Sequence, residues 1–129
     1  MAVNYLLDTS VLLAAGWSTH SEHVRVCRWI KGKDVLTCSI VEVGFLRISA
    51  QPSGPFKATM AQAKALLADL FKDARSFQFL PDDLHGSDAP DTATAASVGD
   101  WHLAELAHRH GLRFASLDTR IKHPAVEVV

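Results

Sequence analysis

The 129 residues are 48% apolar and 21% charged, a composition typical of a single globular domain over residues 1–129 and not of a disordered chain. The net charge of −1 excludes a strongly basic nucleic-acid binder, although it does not exclude RNA as a partner if several acids share one metal site. No apolar run approaches the ~20 residues that span a bilayer and no signal peptide begins at Met1, so we expect a cytoplasmic location.

Apolar segments with the lengths of short strands and of helices alternate along the first half of the chain. Glycine and other turn residues separate them, as in strand–helix–strand units. The expected elements are, in order, a strand over 3–7, a helix over 11–15, a helix over 21–31, a strand over 35–38 and a helix that begins at Ser39. Glu42 stands three residues after Ser39, so we expect these two side chains to form a capping box.

The second half begins after a turn that contains Pro52, Gly54 and Pro55. Apolar residues at three- and four-residue spacing then predict the longest helix of the chain over 56–74. The remaining expected elements are a strand over 77–80, a polar loop over 81–91, a helix opened by Asp100, a strand over 113–117 and a fifth strand over 126–129. This alternation predicts a three-layer α/β/α fold with a central, mostly parallel sheet of four to five strands.

Four carboxylates stand next to apolar segments. Asp8 and Asp118 follow predicted strands, and Glu42 and Asp100 lie near the starts of predicted helices. Because the carboxyl ends of parallel strands share one edge of a sheet, all four side chains can face the same pocket. Four acids in one pocket repel one another, and a hard cation such as Mg²⁺ or Mn²⁺ removes that repulsion. The pattern therefore predicts a metal-dependent phosphodiester hydrolase.

Each of these carboxylates also has a purely local explanation. Asp8 can accept backbone N–H groups at a helix start, and Glu42 can complete the capping box. Asp100 suits the positive end of a helix dipole, and Asp118 can initiate the turn before Arg120. These alternatives stay open for each acid taken alone, whereas the shared sheet edge favours a common site for the set.

The segments that carry the four acids resemble, in order and spacing, the PIN-domain nucleases, and specifically the VapC-type toxins of toxin–antitoxin pairs. The matching segments are Leu6–Leu12, Glu42 with 44–47, Asp100–Ala107 and Leu117–Asp118. The resemblance implies a PIN fold and a ribonuclease in which one or two Mg²⁺ or Mn²⁺ ions are bound by Asp8, Glu42, Asp100 and Asp118. It also implies an RNA substrate, a cognate antitoxin protein and a homodimer. Ser10 is expected to hydrogen-bond to Asp8 and orient its carboxylate.

Two other classes of phosphate chemistry also begin with a strand that ends at an aspartate. Haloacid-dehalogenase-like phosphatases need a second aspartate two residues later, where this chain has Ser10. Receiver domains need an N-terminal acid pair and a lysine late in the sheet, which the pattern lacks. The remaining alternatives are a PIN nuclease that processes RNA outside a toxin pair and a non-catalytic PIN-fold binding module.

Several other residues have no assigned role at this stage. Arg47 suits either an ion pair or a phosphate contact, His102 suits the rim of the pocket, and the 81–91 loop contains several acids. The histidines and cysteines form no Cys/His quartet, so no zinc site is predicted. Trp101 is the only tryptophan next to a predicted site acid, and it stands where the family more often has a small residue.

Overall fold

Five short strands form one sheet, and neighbouring strands within it run parallel. The structure is a computed structural model that describes residues 3–72 and 74–129. Met1 and Ala2, where no signal peptide was expected to begin, and Asp73, which was predicted to be part of the long helix, lie outside the described residues. The strands are β1 (Asn4–Leu7), β2 (Asp34–Thr37), β3 (Ser76–Phe79), β4 (Arg113–Ser116) and β5 (Val126–Val128).

Helices lie in the connections from β1 to β4, as is usual for parallel strands, whereas the described segment between β4 and β5 has none. Within the described residues the helices are α1 (Thr9–Gly16), α2 (His23–Ile30), α3 (Ser39–Ser49), α4 (Met60–Asp69) and α5 (Val98–Arg109). Fully buried side chains such as Phe45, Leu106 and Phe114 fill the core between helices and sheet. The predicted three-layer α/β/α fold is therefore confirmed, with five strands. None of the helices within residues 3–72 and 74–129 has the length and hydropathy of a membrane-spanning segment.

The strand order β3-β2-β1-β4-β5 contains one reversal. The chain adds β2 and β3 on one side of β1, and then β4 and β5 on the other side. Open α/β sheets bind ligands outside the carboxyl ends of the strands at such a reversal. Asp8 follows β1, Asp118 lies two residues beyond β4, and the amide of Asp8 donates to the carbonyl of Ala115 in β4. The fold thus brings the segments that carry Asp8 and Asp118 side by side.

The prediction of the longest helix over 56–74 is wrong in extent. The helix α4 has 10 residues, and the longest described helix is α5 with 12. Lys57 has a φ of 51°, which a right-handed helix does not accommodate. Thr59 then begins α4 by forming a capping box with Gln62. The apolar spacing that continues on both sides of α4 belongs to turns packed against the core rather than to a helix.

The predicted capping box of Ser39 and Glu42 is also wrong. The residue that caps α3 is Cys38, and its side chain makes no capping hydrogen bond. Glu42 instead accepts a hydrogen bond at 2.5 Å, through its Oε2 atom, from the Oγ1 atom of Thr37. Because Thr37 is the last residue of β2, the Glu42 carboxylate is held at the carboxyl end of that strand. The local explanation of Glu42 therefore fails.

Smaller corrections concern boundaries. The helix predicted over 21–31 begins only at His23, and the helix expected to open at Asp100 begins two residues earlier. Asp100 therefore lies in the first turn of α5. The predicted loop over 81–91 includes a single 3-10 turn at Gly86–Asp88, so it is not entirely irregular.

Candidate functional site

Asp8 is the most buried of the four predicted site acids, with 9% of its surface exposed. It precedes α1, and its Oδ1 accepts a 2.7 Å hydrogen bond from the amide of Thr9. Its Oδ2 accepts hydrogen bonds from the hydroxyl groups of Ser10 at 3.3 Å and Ser116 at 2.6 Å. Burial raises the pKa of Asp8, the three hydrogen bonds oppose that rise, and the charge of Asp118 adds to it. The carboxylate is therefore fixed in one orientation, with Ser10 as one of the donors.

Ser116 is a residue of this site that sequence reasoning missed. It is fully buried at the end of β4, and its Oγ donates to Asp8 while accepting a 3.0 Å hydrogen bond from the amide of Asp118. A second link runs beside it, because the amide of Leu117 donates to the Oγ of Ser10 at 3.2 Å. The available signal was a lone hydroxyl residue within an apolar strand, two positions before an acid.

Asp118 is paired with a cationic side chain. The Nε and Nη2 atoms of Arg120 donate to the two oxygens of Asp118 at 3.0 and 3.1 Å, and the amide of Arg120 donates at 2.8 Å. Hydrogen bonds from the side chain and then the backbone of Arg120 lower the pKa of Asp118. The Arg120 side chain is 88% exposed, so the ion pair opens to solvent at little energetic cost.

Asp100, in the first turn of α5, lies near Asp8 and Asp118. Its pKa is raised by partial burial and then by the negative charges of Asp8 and Asp118, while the charge of Arg120 lowers it. Asp8, Asp100 and Asp118 are therefore close enough to influence one another. We call these three residues the coupled acids.

Glu42 lies on the β2 side of the coupled acids. Its carboxylate and that of Asp82 both raise the pKa of the buried Cys38 thiol, although burial itself is the larger cause. Because β2 lies next to β1 in the sheet, Glu42 occupies the same carboxyl edge as the coupled acids. Among residues 3–72 and 74–129, however, no three Asp, Glu, His or Cys side chains are gathered as a ready-made metal site.

The donor set nevertheless fits a hard divalent cation. Carboxylate oxygens are the ligands that Mg²⁺ and Mn²⁺ prefer, and every predicted ligand here is a carboxylate. The raised pKa values of Asp8 and Asp100 include repulsion between like charges, which a bound cation removes. Asp118 already has a cationic partner in Arg120. A cation bound at this edge of the sheet would therefore reduce the repulsion among the carboxylates.

A cleft of about 630 Å³ opens beside two of the coupled acids, Asp100 and Asp118. Its walls include Trp101 from α5 together with Arg120 and Lys122 from the segment that follows β4. The volume lies in the range typical of small-ligand pockets. The cleft thus gives the acidic edge a neighbouring surface that is aromatic and basic.

His102 and Arg47, which had no assigned role, both lie outside the cleft that Asp100 and Asp118 line. His102 is 2.6 Å from Asp82, measured from Nε2 to Oδ2, so it joins α5 to the 81–91 loop. Arg47 is exposed and lines a shallow hollow with Val43 and Met60. His102 therefore anchors the loop, and Arg47 lines a mainly apolar surface.

The sequence is also similar to proteins of known family. Residues 5–127 match the PIN domain family. The sequence is 34% identical to Ribonuclease VapC38 of Mycobacterium tuberculosis (strain ATCC 25618 / H37Rv) over 122 residues, which cover 90% of this chain and 86% of that protein. It is 33% identical to Ribonuclease VapC39 of strain CDC 1551 / Oshkosh, with 93% and 92% covered. Ribonuclease VapC44 of the same strain is 32% identical, with 94% and 90% covered.

Proposed function

The chain belongs to the PIN domain family, as the resemblance of its four acid-bearing segments implied, and we propose that it is a VapC-type ribonuclease. It hydrolyses phosphodiester bonds of RNA, forms a single domain over residues 1–129, and acts as the toxin partner of a cognate antitoxin protein in the cytoplasm. The observation that carries the proposal is the group of coupled acids at the reversal of strand order. Acids that repel one another at a sheet edge are the arrangement that metal-assisted hydrolysis needs.

In this proposal the metal ligands are Asp8, Glu42, Asp100 and Asp118. A bound Mg²⁺ or Mn²⁺ supplies a water of lowered pKa and stabilises charge on the phosphate. The protein's own contribution is to fix the ligands. Ser10 and Ser116 donate to Asp8, and Thr37 donates to Glu42, so these two carboxylates are oriented before any cation arrives.

The test of this proposal is cleavage of single-stranded RNA by the purified protein in Mg²⁺, in Mn²⁺ and in EDTA. We expect cleavage with either metal and none in EDTA. Asp8→Asn and Asp100→Asn should each lower the rate by at least ~100-fold, because each removes one ligand charge. Asp69→Asn is the matched control. Asp69 is an exposed acid at the end of α4, and it pairs with Lys72 in the turn that follows the helix. Full activity of both site variants would contradict the mechanism.

We also propose that the protein forms a two-fold homodimer. The support is a set of large apolar side chains left exposed on α3 and α4, namely Ile40, Val43 and Met60, at 48%, 60% and 49% exposure. Exposed apolar residues that lie near one another are typical of interaction surfaces. Light scattering should give twice the 14.1 kDa chain mass, and Val43→Glu should shift the protein to the monomer. A wild-type protein that stays monomeric at micromolar concentration would contradict the dimer.

A further inference from the structure

The cleft beside Asp100 and Asp118 contains side chains that the proposed metal site does not use. Trp101 is half-buried, packs partly against the core and lines the cleft. Arg120 and Lys122 are exposed and line the same cleft. An aromatic ring and two cations therefore line the cleft next to the acids, and one of the cations, Arg120, also pairs with Asp118.

The chemistry of these walls matches the two parts of an unpaired nucleotide. A splayed base requires an aromatic or apolar surface to stack on, and the phosphate beside it requires cationic donors. The remaining lining combines apolar side chains, among them Ala93, Ala96 and Ile121, with polar and acidic ones. A base within a duplex is stacked on its neighbours and cannot enter such a cleft.

A hydrogen bond also connects the two elements that carry these walls. Trp101 lies on α5, and the cations lie on the segment after β4. In that segment, the Nε2 atom of His123 lies 3.0 Å from the Oε1 atom of Glu105 on α5. The His123 side chain is only 8% exposed. The segment that carries Arg120 and Lys122 is therefore anchored to α5 beside the cleft.

Arg120 connects the cleft to the acidic edge. Its guanidinium group contacts Asp118 in the present structure, yet 88% of its side chain is exposed. Turning this group toward a phosphate breaks one exposed ion pair and no buried contact. A guanidinium fork suits phosphate oxygens as well as it suits a carboxylate.

We propose that this cleft binds one unpaired nucleotide of the RNA next to the cleaved phosphodiester. Its base stacks on Trp101, and Arg120 and Lys122 contact its phosphate. The inference rests on the proposed ribonuclease activity and deepens it, because it assigns a residue-specific site to the nucleotide that flanks the cleaved bond.

The experiment measures binding of a fluorescein-labelled single-stranded RNA by anisotropy, on the Asp8→Asn background so that the RNA stays intact. Asp8 does not line the cleft. Trp101→Leu, which keeps an apolar side chain but removes the ring, should weaken binding roughly 10-fold, and Trp101→Phe should restore most of it. Lys122→Ala should weaken binding. It should also reduce the slope of log affinity against log salt concentration by about one, because one phosphate contact is lost. Lys64→Ala, an exposed lysine on α4, is the matched control and should have no effect.

Two outcomes would overturn the subsite. One is equal binding of the Trp101→Leu, Lys122→Ala and parent proteins; the other is equal affinity for the same RNA presented as a duplex. Thermal melts identify any variant that fails to fold. If Trp101→Leu does not fold, Lys122→Glu, a change at an exposed residue, replaces it as the test and should weaken RNA binding. Cleavage by the wild-type protein is measured in parallel. Absence of cleavage contradicts the ribonuclease proposal itself, whereas cleavage with unchanged binding by the variants contradicts the nucleotide subsite alone.

Discussion

Ser116 donates a 2.6 Å hydrogen bond to Asp8 across 108 positions of sequence, from its Oγ to the Oδ2 of the carboxylate. The same Oγ accepts a hydrogen bond from the amide of Asp118. One fully buried hydroxyl group thus connects two of the coupled acids, which come from the ends of β1 and β4. Hydrogen bonds in a buried network are strong because water does not compete for them. We therefore treat Ser116 as a positioning residue.

Ser116→Ala should lower RNA cleavage about 10- to 100-fold and weaken Mn²⁺ binding, because the Asp8 carboxylate loses its shortest hydrogen bond. Ser49→Ala is the matched control. Ser49 is equally buried and accepts a 2.9 Å hydrogen bond from the Nε1 of Trp17, at the last residue of α3, whose first turn carries Glu42. Both variants should lose ~1–3 kcal/mol of stability, but Ser49→Ala should keep its metal affinity. Equal metal affinity in the two variants would leave Ser116 with a merely structural role.

Asp8→Asn should raise the thermal stability of the metal-free protein at neutral pH, even as it removes activity. Burial raises the pKa of Asp8, and the charge of Asp118 raises it further, so the ionised carboxylate is unfavourable in the folded state. Replacing it with a neutral amide removes that penalty. Thermal melts in EDTA provide the measurement, and adding Mg²⁺ should stabilise the wild type more than the variant. A variant that melts below the wild type in EDTA would contradict this account.

Gly44→Ala should separate α3 from α1. A Cβ atom at position 44 would lie 2.8 Å from the Oγ1 of Thr9, closer than such atoms approach. The expected loss is about 1–3 kcal/mol of stability, together with some activity, because Gly44 lies two residues after Glu42 and Thr9 directly follows Asp8. Thr9→Ala in the same chain should recover part of the loss, since it removes the clashing atom.

Gly99→Ala is the control for that comparison. Nothing lies within 4 Å of a Cβ atom at Gly99, which is also in a helix. The change should therefore stabilise the protein by up to about 1 kcal/mol, as alanine generally does relative to glycine within helices. Chemical denaturation measures both variants. Similar destabilisation by the two would show that close approach of α1 and α3 is not the cause.

The parts of this molecule that the sequence predicted are those set by neighbouring residues. An apolar run that ends at an acid is visible locally, so the strands before Asp8 and Asp118 and the parallel sheet were predictable. The start of α4 was not, because Lys57 takes its positive φ next to Phe56, whose ring stacks on the distant Trp17. Ser116 was missed for the same reason, since its importance comes from a partner in another strand. The partner of Glu42 proved to be Thr37, which the capping-box pattern does not reveal.

Glu105 gives a pH dependence that is separate from the acids of the site. Hydrogen bonds from His123 and then Arg109 lower the pKa of Glu105. A carboxyl group whose pKa is lower in the folded state stabilises the fold above its unfolded pKa, and that stability is lost as the pH falls through its folded pKa. Glu105→Gln should therefore be less stable than the wild type at neutral pH, by less than about 1 kcal/mol. The difference should vanish in acid, and denaturation at several pH values measures it; a constant difference would implicate packing instead.

Arg120 should affect metal and RNA in opposite directions. Its guanidinium group occupies the Asp118 carboxylate, so Arg120→Gln should tighten Mn²⁺ binding about two- to fivefold, the range set by an exposed ion pair. The same change should weaken binding of single-stranded RNA, because one phosphate donor is lost. The pair of Arg75 with Asp34 offers a matched control, since it has similar two-bond geometry but stands at the amino end of β2, on the opposite edge of the sheet. Arg75→Gln should alter neither affinity. Titration of Mn²⁺ and of RNA against both variants decides the matter, and a loss of metal affinity in Arg120→Gln would show that Arg120 supports the metal ligands rather than competing for them.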